Sequence, residues 1–264
     1  MTVRQVYYQL VSIQLIPNNR GAYQAVSKAL VEARRSGAID WTWIEDRLRT
    51  MRGGVDGWTD REDWLKAILR HAVSGYEFAI WPDQPRYVEA WLEKDALSGI
   101  FMDALRPYKI GLNVGRGYDG WSSIHNAAER FINAPQTDAT ILYFGDFDPS
   151  GEDMARSLEE RLNDQGAYPR VIKVALNPDD IARYSLPPNF TKSTDSRQAG
   201  FVSKFGDVSV ELDALPPRVL RDRVVEAVED TLDMDVYRDA LAMQEENRDW
   251  LRAQVATIRE LRDN

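Results

Sequence analysis

Strand-like and helical segments alternate without a break between Tyr87 and Leu176, and this pattern limits the fold more than any other feature of the chain. It predicts strands at 87–92, 109–114, 140–144 and 170–176, with helices between them at 96–105, 122–131 and 151–162. Such alternation indicates βαβ crossovers and a parallel sheet covered by helices on both faces. The predicted fold class is therefore α/β, with a ligand site expected at the carboxyl ends of the strands.

Acidic residues stand at the ends of two of these strands. Glu93 follows the run YVEAWL, and Asp146 and Asp148 follow ILYFG. Residues i and i+2 of an extended chain point the same way, so Asp146 and Asp148 can face one point, and Glu93 can face it from a neighbouring strand. Three carboxylates without histidine or cysteine select Mg²⁺ first and Mn²⁺ second. The competing interpretation is that Asp148-Pro149-Ser150-Gly151 is only a turn and helix cap.

Composition excludes several other kinds of chemistry. The chain of 264 residues has no cysteine, which rules out disulfides, thiolate nucleophiles and cysteine-ligated metal sites. Its two histidines, His71 and His125, are too few for a histidine-rich metal site. No stretch approaches the roughly 18 apolar residues of a membrane span, and the N-terminus has no apolar signal core. We therefore expect a cytoplasmic protein without a membrane partner.

The N-terminal segment has a different texture. Thr2 and Gln5 form a capping-box pattern at the start of a helix, and the helical spacing predicts a buried stripe made of Val3, Val6, Leu10 and Ile13. A second helix follows the break at Pro17-Asn18-Asn19 and ends at Arg34-Arg35-Ser36-Gly37, with cations in its last turn and a glycine beyond. Two short helices before a Trp-rich, basic run fit a helix-turn-helix or winged-helix unit.

Charge is distributed unevenly along the chain. The whole chain carries −9, but residues 1–52 carry +4 and the remainder −13. Nucleic-acid binding depends on such a local positive footprint, so we expect DNA contacts from the N-terminal module at Arg34, Arg35, Arg47 and Arg49. The loop residue Arg116 is a further candidate for a phosphate contact, and Lys192 or Arg197 are weaker ones. An ordinary solvated helix face is the alternative explanation.

Two domains are predicted. Residues 1–75 form the small DNA-binding domain, with a connecting region at 53–85 that contains a short helix near 65–71. Residues 85–264 form the metal-binding domain, whose C-terminal extension has a short strand at 208–212 and a long helical segment from Pro217 to the end.

The strand-end motifs EKDA and GDFDPSG resemble the two halves of a Toprim domain, found in topoisomerases, primases and several nucleases. The intervening GLNVGRGYDGWSS is similar to the matching stretch of the A subunit of topoisomerase VI and its meiotic double-strand-break relatives. That branch has a winged-helix domain ahead of the Toprim domain. The short chain resembles most the compact Mini-A group, or the related nuclease subunits of plasmid-defence systems.

The same resemblance extends to a candidate nucleophile. The branch has its catalytic tyrosine in a segment that Val3-Arg4-Gln5-Val6-Tyr7-Tyr8 matches, which places the nucleophile at Tyr8. A phenol with a pKa near ~10 needs a cation or base to react, and Arg4 lies one helical turn before Tyr8. The alternative is that Tyr7 and Tyr8 are both core aromatics.

The resemblance implies Mg²⁺-dependent cleavage of double-stranded DNA by Tyr8, Arg4 and Glu93, with a phosphotyrosyl intermediate. It also implies a nucleoid-associated homodimer in which the tyrosine of one subunit meets the metal site of the other, and an ATPase or other subunit as a further partner. Two alternatives remain open. One is a Toprim nuclease that hydrolyses DNA with metal-activated water, and the other is a DNA-binding subunit that is inactive without a partner.

Overall fold

The computed structural model describes residues 1–44, 57–115, 120–188 and 198–263. No helix in these ranges is both long and apolar enough to cross a membrane. The described chain forms, in order, α1 (Val3–Ser12), α2 (Arg20–Arg35), α3 (Arg61–Ser74), β1 (Arg86–Leu92), α4 (Ser98–Leu105), β2 (Gly111–Val114), α5 (Trp121–Asn133), β3 (Asp138–Phe144), α6 (Pro149–Asn163), β4 (Arg170–Ala175), α7 (Pro178–Arg183), α8 (Gln198–Phe205), α9 (Pro217–Glu229) and α10 (Met234–Asp263).

The four strands form one parallel sheet in the order β2-β1-β3-β4. This confirms the predicted α/β class, and each predicted strand and helix between residues 86 and 175 is present within a few residues of its expected bounds. The pairing of β1 with β3 runs from Arg86 opposite Asp138 to Leu92 opposite Phe144. Because the strands are parallel and end in register, the residues that follow them lie side by side at one edge of the sheet.

Helices cover both faces of the sheet, because alternate side chains of the strands point to opposite sides. On one face Trp91, Ile141 and Tyr143 pack with residues of α5 and α6, among them Ile124 and Leu158. On the other, the ring of Phe144 meets that of Phe101 in α4 at 4.7 Å, and α4 packs against α9. Burying each such side chain stabilises the fold by roughly 1.5–3 kcal/mol, so this two-sided core fixes the strand ends that carry the acidic residues.

Helix α1 begins as predicted but buries a different face. Thr2 caps it, with the capping box to Gln5 formed. The predicted stripe is wrong, since Ile13 is 69% exposed while Tyr7 and Tyr8 are 4% and 3% exposed. The reason is that α1 packs against α2 and a short 3₁₀ turn at Leu212–Ala214, and its docking depends on polar contacts from the tyrosine side rather than on an apolar stripe.

The chain divides into two compact units. One contains Met1–Arg49 and Arg86–Thr231, and the other contains Thr50–Pro85 and Leu232–Asn264. The first 49 residues thus belong to the same unit as the sheet, whereas the sequence pattern placed 1–75 in a domain of their own. In the second unit α3 packs against α10, and Arg248 of α10 donates to the Tyr76 carbonyl at 2.9 Å.

Two details of the C-terminal half differ from prediction. In place of the strand predicted at 208–212, the described residues have an antiparallel bridge between Phe147 and Val210, because the chain turns into the 3₁₀ helix at Leu212–Ala214 directly after it. The long helical segment is two helices, α9 and α10, with a break between Glu229 and Met234. Residues 1–44 contain α1, α2 and a 3₁₀ turn at Trp41–Trp43, without the strands of a wing.

The first turn of α6 is built around Asp148 and Gly151. Asp148 is the N-cap, and its Oδ1 accepts the Gly151 N–H at 2.7 Å, so the turn-and-cap interpretation of this residue is correct as far as its local role goes. A Cβ on Gly151 would overlap the main-chain carbonyl oxygen of Asp146. Close approach of the helix to this loop therefore requires glycine at this position.

We expect Gly151→Ala to lower the free energy of unfolding by about 1–3 kcal/mol, because the added methyl must displace backbone rather than a flexible side chain. Gly200→Ala is the matched control, since Gly200 is also the third residue of a helix but a Cβ there meets nothing within 4 Å. Chemical denaturation of both variants measures the difference. Equal stability of the two variants would contradict the close packing at Gly151.

Candidate functional site

The ends of β1 and β3 bring Glu93 and Asp146 together. Glu93 is joined to the β3 end by its backbone N–H, which donates to the Phe144 carbonyl at 3.0 Å. The Asp146 backbone N–H in turn donates to Glu93 Oε2 at 3.1 Å. Asp146 itself is buried, and its Oδ1 accepts the backbone N–H of Leu212 at 2.8 Å. The predicted convergence of the two strand ends is thus present in the structure.

Glu93 lies close enough to two other carboxylates for their negative charges to raise its pKa. Burial first, and then the charges of Asp146 and Asp148, raise the pKa of Glu93 to about 7. The backbone N–H of Asp146 and the ammonium of Lys94 oppose this rise without cancelling it. At neutral pH the ionised form of Glu93 is therefore destabilised, and either a bound proton or a nearby cation would stabilise this residue.

The chemistry of the donors, but not the arrangement of their side chains, fits a hard divalent cation. Three carboxylates at one sheet edge, without nitrogen or sulfur ligands beside them, match the preference of Mg²⁺ and Mn²⁺ for oxygen. Burial is the main cause of the raised pKa of Glu93, and the repulsion from Asp146 and Asp148 that adds to it is what a bound cation would relieve. In the arrangement described here, no group of three or more acidic or histidine side chains among the described residues is placed so that it could hold a metal ion. Asp146 is paired with a lysine instead.

That lysine is Lys94, the residue after Glu93, and it connects three carboxylates. Its Nζ lies 2.9 Å from Asp146 Oδ1, 3.2 Å from Glu211 Oε2 and 3.5 Å from Asp213 Oδ2. Burial alone would lower the pKa of Lys94, but the three negative charges outweigh it and raise the pKa. Lys94 is consequently a permanent cation at the edge of the acidic cluster.

Arg4 and Tyr8 enter the same network from α1. The Arg4 guanidinium lies 2.5 Å from Glu211 Oε2 and 3.2 Å from Asp213 Oδ2. The Tyr8 side chain is hydrogen-bonded both to Arg4 and to the Glu211 carboxylate. A continuous polar path therefore runs from Tyr8 through Glu211 and Lys94 to Asp146 within a single chain.

Asp213, which pairs with both Lys94 and Arg4, has the least exposed side chain of the carboxylates that Lys94 contacts. Its side chain is 1% exposed, and neither of its oxygens accepts a well-aligned hydrogen bond from the described residues. Burial raises its pKa, and the charges of Lys94 and Arg4 act against that rise. Since Asp213 has only ion pairing to offset its desolvation, it depends on both cations staying in place.

An open cavity of about 340 Å³ lies beside Tyr8. Its lining comes from α1, from the start of α2 and from one acidic residue, and includes Arg4, Tyr8, Arg20, Tyr23 and Glu211. Two arginines at its wall suit an anionic group such as a phosphate. The buried Tyr8 is therefore within reach of a ligand that enters this cavity.

Tyr7 and Tyr8 line the same cavity, with their rings 5.1 Å apart, but their hydroxyls have different hydrogen-bond partners. The Tyr7 hydroxyl donates to Asn18 Oδ1 at 2.8 Å and lies 3.2 Å from the Asn19 carbonyl. Tyr7 thus fastens α1 to the loop before α2, whereas Tyr8 belongs to the charged network.

The residues predicted to contact DNA lie either away from the Tyr8 network or outside the described residues. Arg34, at the end of α2, lies over the exposed ring of Trp41 at 5.2 Å, and Arg35 is 3.8 Å from Glu32 on the same helix. Neither is part of the Tyr8 network in the contacts above. Five other predicted cations fall outside the described residues: Arg47, Arg49, Arg116, Lys192 and Arg197.

Two further acidic residues, Glu89 of β1 and Asp153 of α6, are paired with arginines rather than with the acidic cluster. Arg130 grips both oxygens of Glu89, at 2.7 and 2.9 Å, and Asp153 is paired with Arg156 at 2.6 Å. The residues that sequence reasoning missed are Lys94, Glu211 and Asp213. Lys94 had a local signal in its position beside Glu93 in EKDA, but the segment that contains Glu211 and Asp213 matched no motif.

Comparison of the chain with models of protein families, with curated proteins and with solved structures found no match. Its function is therefore inferred from its own residues.

The raised pKa of Glu93 gives a pH dependence whose sign can be worked out. The folded protein holds this proton up to about pH 7, while the unfolded chain loses it near 4.5, so folding stability falls as pH rises through this window. In metal-free protein, Glu93→Gln should not lose stability in this pH window. Between the two pH values, its free energy of unfolding should therefore rise by roughly 2–3 kcal/mol relative to that of the parent chain. Urea unfolding at both pH values, with a chelator present, measures the gain. Parallel stability curves would contradict the assignment.

Proposed function

We propose that this chain cleaves double-stranded DNA by transesterification, with Tyr8 as the nucleophile. The observation that carries the proposal is the position of the Tyr8 hydroxyl, which is hydrogen-bonded to Arg4 and Glu211 beside an open cavity. A phenol is a poor nucleophile until a cation stabilises its anionic form or a base removes its proton. Tyr8 has a neighbour of each kind.

Arg4 is suited to hold the phosphate that Tyr8 attacks. Its side chain is 46% exposed even though it pairs with Glu211 and Asp213, so part of the guanidinium can turn to an anion in the cavity. Guanidinium groups bind phosphate oxygens through two parallel hydrogen bonds. Arg4 thereby orients the phosphate and offsets the charge that develops on it.

Glu93, Asp146 and Asp148 would hold Mg²⁺, or Mn²⁺ in its place. Such an ion, when bound, supplies neutralisation of charge on phosphate oxygens. Lys94 pairs with Asp146 at 2.9 Å, so it orients that carboxylate, and its charge opposes the rise in the pKa of Asp146 that burial causes. The Toprim-like motifs EKDA and GDFDPSG support the same assignment of roles.

DNA is held by the N-terminal part of the chain in this proposal. The stacked pair of Arg34 and Trp41 combines a cation with an exposed aromatic ring, a combination that suits the phosphates and bases of nucleic acid. Arg35, Arg47, Arg49 and Arg116 are proposed to add phosphate contacts, with the N-terminal helices acting as the winged-helix element. A homodimer, and an ATPase or other subunit as partner, are further parts of the proposal, as is a nucleoid location.

We expect Tyr8→Phe to abolish covalent protein–DNA adducts and cleavage of supercoiled plasmid in Mg²⁺ or Mn²⁺, because the variant has no nucleophilic oxygen. Denaturing gels run with and without protease digestion measure both. Tyr7→Phe is the matched control, since its hydroxyl bonds to Asn18 and Asn19 rather than to the charged network, and it should still form adducts.

Other outcomes of the same experiment separate the rival functions. Metal-dependent nicking by Tyr8→Phe at the parent rate would show that a metal-activated water is the nucleophile. Absence of cleavage by the parent chain, with DNA binding retained, would favour a subunit that needs a partner.

The polar path from Tyr8 to Asp146 within one chain supports a site that is complete in each subunit. We therefore expect a mixture of Tyr8→Phe and Asp146→Ala chains to remain inactive, since neither chain then has a whole site. The plasmid assay on co-expressed, copurified variants tests this. Partial recovery of cleavage would instead mean that the tyrosine of one subunit acts at the carboxylates of the other.

A further inference from the structure

The partners of the Tyr8 hydroxyl include a donor, Arg4, and an acceptor, Glu211. Arg4 cannot take up a proton, because a guanidinium stays protonated in proteins. The carboxylate of Glu211, which is hydrogen-bonded to the same hydroxyl, can take one up. This is the arrangement of a nucleophile, a base and a group that orients them both.

We propose that Glu211 is the general base that accepts the phenolic proton of Tyr8 when Tyr8 attacks a DNA phosphodiester. This inference rests on the proposed function of Tyr8. It assigns a catalytic role to a residue in the segment between α8 and α9, far in sequence from both the tyrosine helix and the strand-end carboxylates.

The step balances with groups that are present. The Tyr8 O–H bond breaks, its proton moves to a carboxylate oxygen of Glu211, and the electron pair on the phenolic oxygen forms the bond to phosphorus. The bond from phosphorus to the deoxyribose oxygen breaks, and that oxygen leaves with the bonding pair and takes a proton from water. In the reverse direction Glu211 returns its proton to the phenolic oxygen.

The surroundings of Glu211 keep it ready for this role. Burial would raise its pKa, but the charges of Lys94 and Arg4, together with the hydrogen bond from Tyr8, outweigh burial and lower the pKa. Glu211 is thus ionised and able to accept a proton at neutral pH. It is also a weak base, so the proton moves only as the phenolic oxygen bonds to phosphorus, and Tyr8 stays a phenol until substrate is in place.

Substrate binding can strengthen the base. Arg4 pairs with Glu211 at 2.5 Å and is the more exposed partner, at 46% against 24%. A phosphate in the cavity would compete with Glu211 for that guanidinium. As Arg4 turns toward the phosphate, Glu211 loses one of its two cations and its proton affinity rises. The base would then be most effective when DNA is bound.

Asp213 provides a matched comparison within the same network. It pairs with the same two cations, Arg4 at 3.2 Å and Lys94 at 3.5 Å, but neither of its oxygens accepts a hydrogen bond from the described residues, Tyr8 among them. If Glu211 served only to anchor α1 through ion pairs, loss of either carboxylate should have the same kind of effect. If Glu211 is a general base, the slower rate caused by its loss should be partly reversed by a more acidic phenol. The slower rate caused by loss of Asp213 should not change.

The test measures the rate of adduct formation by the full chain on supercoiled plasmid with Mg²⁺. Glu211→Gln should form adducts about 10²–10⁴-fold more slowly than the parent. 3,5-Difluorotyrosine is a more acidic phenol and needs less help from a base. Placed at position 8 of Glu211→Gln, it should raise the rate of adduct formation by at least about tenfold. The same replacement should not raise the rate of adduct formation by Asp213→Asn. Thermal unfolding checks that each variant folds. If Glu211→Gln does not fold, Glu211→Asp takes its place, since its shorter side chain withdraws the carboxylate from Tyr8.

Two results would overturn the inference. One is adduct formation by Glu211→Gln at the parent rate, and the other is equal recovery by difluorotyrosine in the Glu211 and Asp213 variants, which would mean an anchoring role alone. Tyr8→Phe separates these from failure of the proposed function. If that variant still cleaves DNA, the tyrosine mechanism is wrong, whereas loss of adducts in Tyr8→Phe with a normal rate in Glu211→Gln rejects only the base.

Discussion

The ion pairs of Lys94 hold the candidate site together. One ammonium joins Asp146, at the end of β3, to Glu211 and Asp213, which lie more than sixty residues later in the chain. Loss of one partner from a buried ion pair typically costs about 3–5 kcal/mol, because the other charge stays buried without compensation. Lys94 therefore fixes the 3₁₀ turn at Leu212–Ala214 against the sheet edge, and α1 packs on that turn. The position of Tyr8 depends on this chain of contacts.

The sheet and its acidic edge were predictable, because both follow from local patterns. Apolar strand runs alternating with helical ones require parallel pairing, and parallel strands that end in register place Glu93 beside Asp146. Glu211 and Asp213 could not be found in this way. Their importance comes from pairing with Arg4, some two hundred residues earlier in the sequence, and no periodicity or spacing records such a contact.

The error in α1 has a similar physical cause. Helical spacing assigns burial to whichever face is most apolar, which here is the face of Val3, Val6, Leu10 and Ile13. The helix instead buries Tyr7, Tyr8 and Gln5, because the Tyr7 hydroxyl bonds to Asn18 and Asn19 and Arg4 on the same helix pairs with Glu211. A polar interface of this kind is expected where side chains are arranged for chemistry rather than for stability alone.

Two glutamates of the site are tuned in opposite directions. Burial and like charges raise the pKa of Glu93 to about 7, while burial of Glu211 is outweighed by Lys94 and Arg4, which lower its pKa. Neighbouring acids whose environments separate their proton affinities can take different roles. Glu93 gains from a proton or a divalent cation, so it suits the metal cluster. Glu211 stays ionised at neutral pH and bonds to a phenol, so it is free to accept that phenol's proton. Because Lys94 pairs with both Asp146 and Glu211, one cation holds the acidic strand end and the base in a single site.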